Sequence, residues 1–213
     1  MATITTQRLH LTPFEPSDWA FFRTLREDRA IMRYMAAIAP EKETRRVFAA
    51  RLTAPHVFVI RMHDDDTPLG DIGLQISAVN REEADIGYTV VPAAQGKGIA
   101  SEALRAMCEY AFNQTGVKAV NAYVLADNGG SVRVLEKAGF VRTQVLEKAY
   151  EIDGVRYDDW VYRLECSAVR VPGGTAFARP TGFVGPVSAA PPGIKLLQRP
   201  FQELLQTRAL RVG

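Results

Sequence analysis

Two glycines at the junction of a predicted strand and a predicted helix constrain this chain more than any other feature. The apolar run at 86–91 predicts a strand that Pro92 ends, and apolar residues recur at helical spacing over 101–113. Small residues between such elements let backbone N–H groups converge on an anion at the positive end of the helix. The ligand that such a turn best fits is a diphosphate. A tight turn with packing glycines is the alternative. The junction consists of Gln95, Gly96, Lys97, Gly98, Ile99 and Ala100.

Two common nucleotide-binding patterns do not fit this junction. The Walker pattern requires a glycine where Val91 stands, and Ser or Thr where Gly98 follows the lysine. The Rossmann pattern requires a glycine where Ser101 stands. We therefore expect neither ATP nor NAD as the ligand.

Turn signals and apolar periodicity divide the rest of the chain into alternating elements. Asp153-Gly154 is a strong hairpin turn between two long strands. The other predicted strands cover 8–12, 57–62, 71–77, 86–91 and 117–125, and the predicted helices begin at Ser17, after Pro40, at 101 and at 129. This order predicts an α/β fold, with a mixed sheet of about seven strands and about four helices on both faces.

Composition bounds the class of protein. At 213 residues and 47% apolar content, the chain is long enough for one domain with a buried core. Its net charge of +2 gives no case for nucleic acid or an anionic membrane as a partner. Cys108, Cys166 and the three histidines lack metal-ligand spacing, so we expect no metal. No apolar run resembles a signal peptide or a membrane span, so we expect a cytoplasmic location with both cysteines free.

The composition changes near Ser167. The last 46 residues contain six of the twelve prolines, six glycines, and six Lys or Arg against one acidic residue, which leaves residues 1–167 with a net charge of −3. We therefore expect a domain at 1–167 and a basic tail at 168–213 that docks on the domain or on a second subunit, or stays loose. A short helix at 200–210 would place Phe201, Leu204 and Leu205 on one face.

Three segments fit the motifs of one enzyme superfamily. Gln95, Gly98 and Ala100 fit a loop pattern of Gln or Arg, two residues, Gly, one residue, then Gly or Ala. The segment from Asn128 to Phe140 is similar to a second motif, and 6–11 is similar to an opening strand, with 85–88 and 157–162 as further agreement. On these segments, residues 3–165 resemble the GNAT superfamily of N-acetyltransferases, in its RimJ/RimL-like branch.

The resemblance implies a cosubstrate and a site for it. In GNAT proteins a mostly antiparallel sheet splays between its fourth and fifth strands, and the pantetheine arm of acetyl-CoA enters the gap. Backbone groups of Val90 and Val91 would pair with the pantetheine amides, and an N–H near Val90 would stabilise the oxyanion. The junction from Gln95 to Ala100 would bind the diphosphate. The implied reaction is direct attack by a primary amine, from a protein N-terminus or a small molecule, on the acetyl group.

The resemblance also implies catalytic roles. Many relatives have a proton-donating Tyr where this chain has Leu135, whereas the RimJ/RimL-like branch has a Ser at the place of Ser131. The alternative is that Ser131 merely starts a helix. Asp85 is the candidate base, where relatives often have Glu, and a structural role is its alternative. Asn128 either binds the cosubstrate or the acceptor, or caps the helix.

Other candidates belong to the same expected cleft. Arg133 and Lys137 either contact the 3′-phosphate of acetyl-CoA or are solvated helix charges. The aromatic candidates either line the acceptor cleft or belong to the core, and they are Tyr34, Tyr88, Tyr150 and Trp160.

Two other functions fit the same motifs. A catalytically silent acyl-CoA-binding module, used for sensing or assembly, would keep the glycine turn without a competent acid or base, and Leu135 leaves this alternative open. An acyltransferase for a longer acyl-CoA would differ only in its acyl pocket. Related folds often pair, so a homodimer is possible.

Overall fold

Eight strands form a single sheet within residues 3–169, the part of the chain that the computed structural model describes. The strands are β1 (Ile4–Thr5), β2 (Leu9–Pro13), β3 (Val57–Met62), β4 (Pro68–Ile76), β5 (Glu83–Val90), β6 (Ala119–Leu125), β7 (Val141–Ile152) and β8 (Val155–Glu165). The helices are α1 (Trp19–Glu27), α2 (Arg29–Met32), α3 (Glu41–Arg51), α4 (Ile99–Gln114), α5 (Gly129–Lys137) and α6 (Cys166–Val169). The strand order across the sheet is β1-β2-β3-β4-β5-β6-β8-β7. No helix in this part is long and apolar enough to cross a membrane.

The predicted α/β fold is confirmed, and each predicted strand and helix within the described part is present. The β7–β8 hairpin turns through Asp153 and Gly154, whose φ angles are +51° and +78°. The sheet has one strand more than expected, because β1 pairs with β2 but is only two residues long and shows no periodicity. The four-residue helices α2 and α6 were not predicted for the same reason.

The two faces of the sheet are covered by different helices. On one face, α4 and α5 cover the larger core, which includes Met107 and Leu135. On the other face, α1 and α3 cover a smaller core that includes Phe22, Phe48 and Val59. Side chains alternate along a strand, so each strand residue belongs either to the α4 face or to the α1 face.

The sheet opens between β5 and β6, the fifth and sixth strands across it. β5 and β6 run parallel and pair only at Glu83–Ala119, Ala84–Val120 and Asp85–Asn121, whereas every other neighbouring pair in the described sheet is antiparallel. β5 continues to Val90 and β6 to Leu125 without further pairing between them. The strands therefore diverge and leave a gap, which confirms the predicted splay.

The predicted tail at 168–213 lies outside the described residues, except for 168 and 169 at the end of α6. The predicted helix at 200–210 lies wholly outside them. The domain boundary near Ser167 stays a prediction. Cys108 and Cys166 both fall within the described part and are free thiols.

Candidate active site

A cleft of about 390 Å³ lies where β5 and β6 diverge. Its walls come from the end of β5, the turn before α4, the start of α5 and the segment after α2. The predicted residues that line it are Tyr34, Tyr88, Val90, Gln95, Gly96, Gly98, Ile99, Ala100, Asn128, Ser131, Arg133 and Lys137. Val91, Lys97, Asp85, Tyr150 and Trp160 are not among its lining residues. The structure therefore brings most of the predicted site together.

The turn before α4 is held in shape by its own residues. Gly98 is the N-cap of α4 with a φ of +81°, a left-handed conformation that favours glycine. Gln95 Nε2 donates to the Val90 carbonyl oxygen at 3.0 Å, which ties the turn to β5. The first N–H groups of a helix have no partner within the helix. Those of α4 can therefore bind an anion in the cleft.

Arg8 fastens this turn to the opening strands, a contact that the sequence did not predict. Its Nε donates to Glu102 Oε2 at 2.7 Å, and its Nη1 donates to the Lys97 carbonyl oxygen at 3.1 Å. Glu102, in the first turn of α4, also accepts from Thr6 Oγ1 at 2.7 Å. Lys97 contributes its backbone to this contact, while its side chain is exposed.

The register of β4 and β5 determines which backbone groups face the gap. Val91 N donates to Leu69 O at 2.8 Å, so this pair is hydrogen-bonded. Hydrogen-bonded and non-hydrogen-bonded pairs alternate along an antiparallel ladder, so the N–H and C=O groups of Val90 and Tyr88 point away from β4 and toward the gap. Val91 also accepts from Ala94 N at 2.9 Å, so its backbone groups are already engaged. The geometry therefore offers a ligand the N–H of Val90 and both backbone groups of Tyr88, while the Val90 carbonyl oxygen also accepts from Gln95 and both backbone groups of Val91 are engaged.

Ser131 lies in the first turn of α5 and contacts Tyr88 across the cleft. Its Oγ is 2.8 Å from the Tyr88 hydroxyl oxygen, a pairing that the sequence did not predict. Burial raises the pKa of Tyr88, so the phenol keeps its proton at neutral pH. Asn128 is the N-cap of α5, and its Oδ1 accepts from Ser131 N at 3.1 Å. The side chain of Asn128 thus caps the helix, and the residue also lines the cleft.

Asp85 faces the opposite side of the sheet from Tyr88, because it lies three residues earlier in β5. It lines a smaller, neighbouring cavity that shares Tyr88 and Ser131 with the cleft. Burial raises the pKa of Asp85 to about 6; repulsion from Glu83 adds to this, and a hydrogen bond with Asn121 opposes it. A carboxyl group that titrates near neutral pH can take up a proton from an amine, as the predicted base must.

The aromatic candidates fall in different places. Tyr34 follows α2 and lines both the cleft and the smaller cavity. Tyr150 donates from β7 to the Met35 carbonyl oxygen and so holds the segment that carries Tyr34. Trp160 lies on β8 with the Arg142 guanidinium 4.3 Å from its ring, apart from both spaces.

Three residues of α5 complete the site. Arg133 and Lys137 are exposed at the cleft, a position that suits a phosphate contact and a solvated charge alike. Leu135 is 1% exposed and lines the smaller cavity, so an alkyl group occupies the place where many relatives have Tyr. Among residues 3–169, no group of three or more His, Cys, Asp or Glu side chains is placed to hold a metal ion.

Comparison with known proteins assigns this geometry to a family. The model of the GNAT acetyltransferase domain matches residues 8–141, and the chain belongs to that family. The probable N-acetyltransferase YjcK of Bacillus subtilis is 40% identical over 105 residues, which are 49% of this chain and 58% of that protein. The chain thus matches little more than half the length of this relative.

Solved structures show the same fold. A GNAT-family acetyltransferase from Bacillus anthracis superposes with a TM-score of 0.72 at 25% identity, over 77% of this chain and 98% of that one. RimL, a ribosomal L7/L12 α-N-protein acetyltransferase solved with coenzyme A, gives a TM-score of 0.68 at 18% identity over 77% of this chain and 98% of that one. The second likeness is one of fold alone.

Proposed function

We propose that this chain is an acetyl-CoA-dependent N-acetyltransferase that moves the acetyl group to a primary amine by direct attack. The observation that carries the proposal is that two neighbouring spaces beside β5 share Tyr88 and Ser131 as lining residues. The glycine turn and the Ser131–Tyr88 pair line one space, and Asp85 lines the other. The family match and the names of the relatives support an acetyltransferase enzyme.

The residues of the cleft fit the parts of acetyl-CoA. The N–H groups at the start of α4 suit the diphosphate, and Gly98 keeps the turn in its left-handed conformation. The backbone groups of Val90 and Tyr88 that point into the gap suit the pantetheine amides. The exposed basic residues of α5 lie where they can contact the 3′-phosphate.

In the proposed reaction, one residue accepts the proton that the amine loses and another donates a proton to the leaving group. The amine nitrogen attacks the acetyl carbonyl carbon, so a C–N bond forms and the C–S bond breaks. Asp85 takes the proton that the amine gives up, directly or through a water molecule. Ser131, hydrogen-bonded to Tyr88, gives a proton to the leaving thiolate sulfur. The N–H of Val90 stabilises the oxyanion on the carbonyl oxygen.

An amine of low pKa suits this machinery. A base with a pKa of about 6, such as Asp85, is a weak one. An α-amine with a pKa of about 7.8 is roughly one seventh neutral at pH 7, whereas a lysine with a pKa of about 10.4 costs roughly 4.6 kcal/mol to deprotonate there. This pKa argument favours the α-amine of a peptide, or another small amine of low pKa.

The buried Leu135 favours one alternative function. Without the Tyr that many relatives have at this position, a catalytically silent acyl-CoA-binding module for sensing or assembly also fits the cleft. A transferase for a longer acyl-CoA is a variant of the main proposal and differs only in the acyl pocket.

Thiol release from acetyl-CoA tests the proposal. The panel contains peptides with free N-termini, amino acids and aminoglycosides, and the unaltered chain is compared with Ser131→Ala and Asp85→Asn. Saturable turnover with one amine class, lowered about tenfold or more by Ser131→Ala, supports the enzyme and its acid. Acetyl-CoA binding in calorimetry without thiol release across the panel would favour the silent module. A series of acyl-CoA chain lengths tests the longer-chain variant.

The predicted branch, cellular location, homodimer and tail are also part of this proposal. The opening segment at 6–11, with 85–88 and 157–162, supports the RimJ/RimL-like branch, and the two free thiols suit a reducing cytoplasm. The homodimer and the role of the tail at 168–213 are tested together by measuring the molar mass of the chain with and without the tail by light scattering.

A further inference from the structure

Two buried arginines share one buried carboxylate beside the site. Arg26 of α1 and Arg51 at the end of α3 converge on Asp71 of β4, and the three side chains are 7%, 5% and 4% exposed. Arg26 Nη2 is paired with Asp71 Oδ2, and Arg51 Nη2 lies 4.0 Å from the same oxygen. We call these three residues the arginine cluster.

Arg26 keeps two hydrogen-bond donors without an acceptor. Its Nε and Nη1 are buried, and no group within residues 3–169 accepts a hydrogen bond from them. The guanidinium lies 4.6 Å from the centre of the Phe22 ring, which limits its freedom to turn toward another partner. A buried donor without an acceptor destabilises the fold, so an anionic ligand that accepts from these donors would recover free energy.

The charge of the cluster also favours an anion. Burial lowers the pKa of Arg51 to about 10, because attraction to Asp71 does not offset burial and repulsion from Arg26. Arg51 is still charged at neutral pH. An added carboxylate would be attracted to these guanidinium groups and can bind one of them through two parallel hydrogen bonds.

The arginine cluster and Asp85 line the same cavity, which also contains Gly87. Gly73 of β4 lies directly opposite Gly87 of β5, and both share the α1 face with Asp71 and Asp85. Gly87 leaves its part of the cavity free of a side chain. Asp85 lies four residues along β5 from the partner of Asp71, which is roughly 13 Å of strand. The cavity has a volume of about 90 Å³ and admits only a short acceptor, with its amine toward Asp85 and its anion toward the cluster.

We propose that the arginine cluster binds a carboxylate of the acceptor, so that the acceptor is an amino acid or a short peptide with a free carboxylate. The inference rests on the acetyltransferase function proposed above and specifies the acceptor class for that site. A polyamine is the wrong partner, because it would bring further positive charge to two buried arginines.

Three matched pairs of acceptors test the carboxylate. L-alanine, L-alanyl-L-alanine and L-alanyl-L-alanyl-L-alanine are each compared with their C-terminal amides, and spermidine is the cationic comparison. We expect kcat/KM for at least one free acid to exceed that of its amide by about tenfold or more, and spermidine to be a poorer acceptor than that acid. Amides that react as well as their acids in all three pairs overturn the inference.

Variants of the arginine cluster test whether it causes the preference for free acids over amides. Arg26→Gln should reduce the ratio of acid to amide toward one, whereas Asp71→Asn, which frees the arginines from their carboxylate, should increase it. Arg23→Gln is the control and should leave the ratio unchanged, because Arg23 is exposed on the same helix as Arg26 and lines neither cavity. Acetyl-CoA affinity shows that each variant is folded. An unchanged ratio in a folded Arg26→Gln variant contradicts the inference.

Binding without turnover separates this inference from the proposed function. If no amine releases thiol, the acetyltransferase proposal fails, yet calorimetry of the same six compounds with the coenzyme A complex still measures the anion site. Tighter binding of acids than of amides, lost in Arg26→Gln, supports the site. Equal binding of acids and amides, or no binding of any of the six, overturns it.

Discussion

The Tyr88 hydroxyl and Ser131 Oγ lie 2.8 Å apart, and this contact joins β5 to α5 across the cleft. The two hydroxyls therefore form one functional pair in the proposed reaction.

A double-mutant cycle on this pair should be non-additive. We expect Ser131→Ala and Tyr88→Phe each to lower kcat/KM by about tenfold, and the double variant to be little worse than either, because each change breaks the same chain of donors. Steady-state thiol release measures all three. Tyr110→Phe is the control, since that hydroxyl lies 2.9 Å from His56 Nδ1 outside the cleft and should not matter. Losses that multiply in the double variant would falsify a shared role.

Asp85 should make kcat/KM fall at acidic pH. Its pKa of about 6 means that the base form is lost below that pH, so kcat/KM should fall there. Protonation of the acceptor amine gives a separate decrease in kcat/KM. Asp85→Asn should lower the activity and remove the decrease that depends on Asp85, while the decrease caused by protonation of the amine remains. Asp64→Asn, whose side chain is 89% exposed, should leave the whole profile unchanged.

The same carboxyl should destabilise the folded chain at neutral pH. Its pKa is 3.8 when exposed and about 6 when folded, so the folded state binds the proton more tightly, and the free energy of unfolding falls as pH rises from about 4 through 6. Asp85→Asn should therefore raise the free energy of unfolding at pH 7, by on the order of 1 to 3 kcal/mol, with no gain below pH 4. Urea titrations at both pH values measure this difference.

Arg8→Ala should weaken acetyl-CoA binding without unfolding the chain. The variant loses the hydrogen bonds to Glu102 and to the Lys97 carbonyl, so the glycine turn is held less firmly. A loss of about 1 kcal/mol corresponds to roughly fivefold in Kd, measured by calorimetry. Arg46→Ala removes a comparable exposed pair with Glu43 on α3 and should leave Kd unchanged. Equal Kd values for the two variants would count against a role for Arg8.

Gly70→Ala should distort β5 beside the cleft. A methyl group at Gly70 would lie 2.0 Å from the Thr89 carbonyl oxygen, a distance that forces the backbone of β5 to move. We expect a loss of roughly 1 to 3 kcal/mol of stability, together with a raised KM for acetyl-CoA. Gly129→Ala is the control, because its methyl group would approach only Arg133 Nη1, at 3.5 Å. A native KM in Gly70→Ala would contradict the expected shift of β5.

The sequence predicted those parts of the fold that depend on neighbouring residues. The Asp153-Gly154 turn and the glycine-rich start of α4 each use local chemistry, since positive φ angles favour Gly and Asp. The outlines of the long strands followed from apolar runs. β1 was missed, because its pairing with β2 is a property of two strands and not of a two-residue segment.

Contacts between distant residues were not predictable in this way. Ser131 and Tyr88 are 43 positions apart, and Arg8 and Glu102 are 94 apart, so no spacing rule connects them. The elevated pKa of Asp85 depends on burial by elements from several parts of the chain. For Asn128, the sequence allowed both capping and binding, and the geometry shows a residue that caps α5 and also lines the cleft.

The placement of Asp85 and Tyr88 on opposite faces of β5 has a kinetic consequence. In the proposed reaction, the donor thioester and the acceptor amine approach the gap from different sides of the sheet. Binding should then follow no compulsory order, so calorimetry should detect each substrate binding to the chain in the absence of the other. A single opening between two parallel strands would then be enough to bring both reactants together without any moving lid.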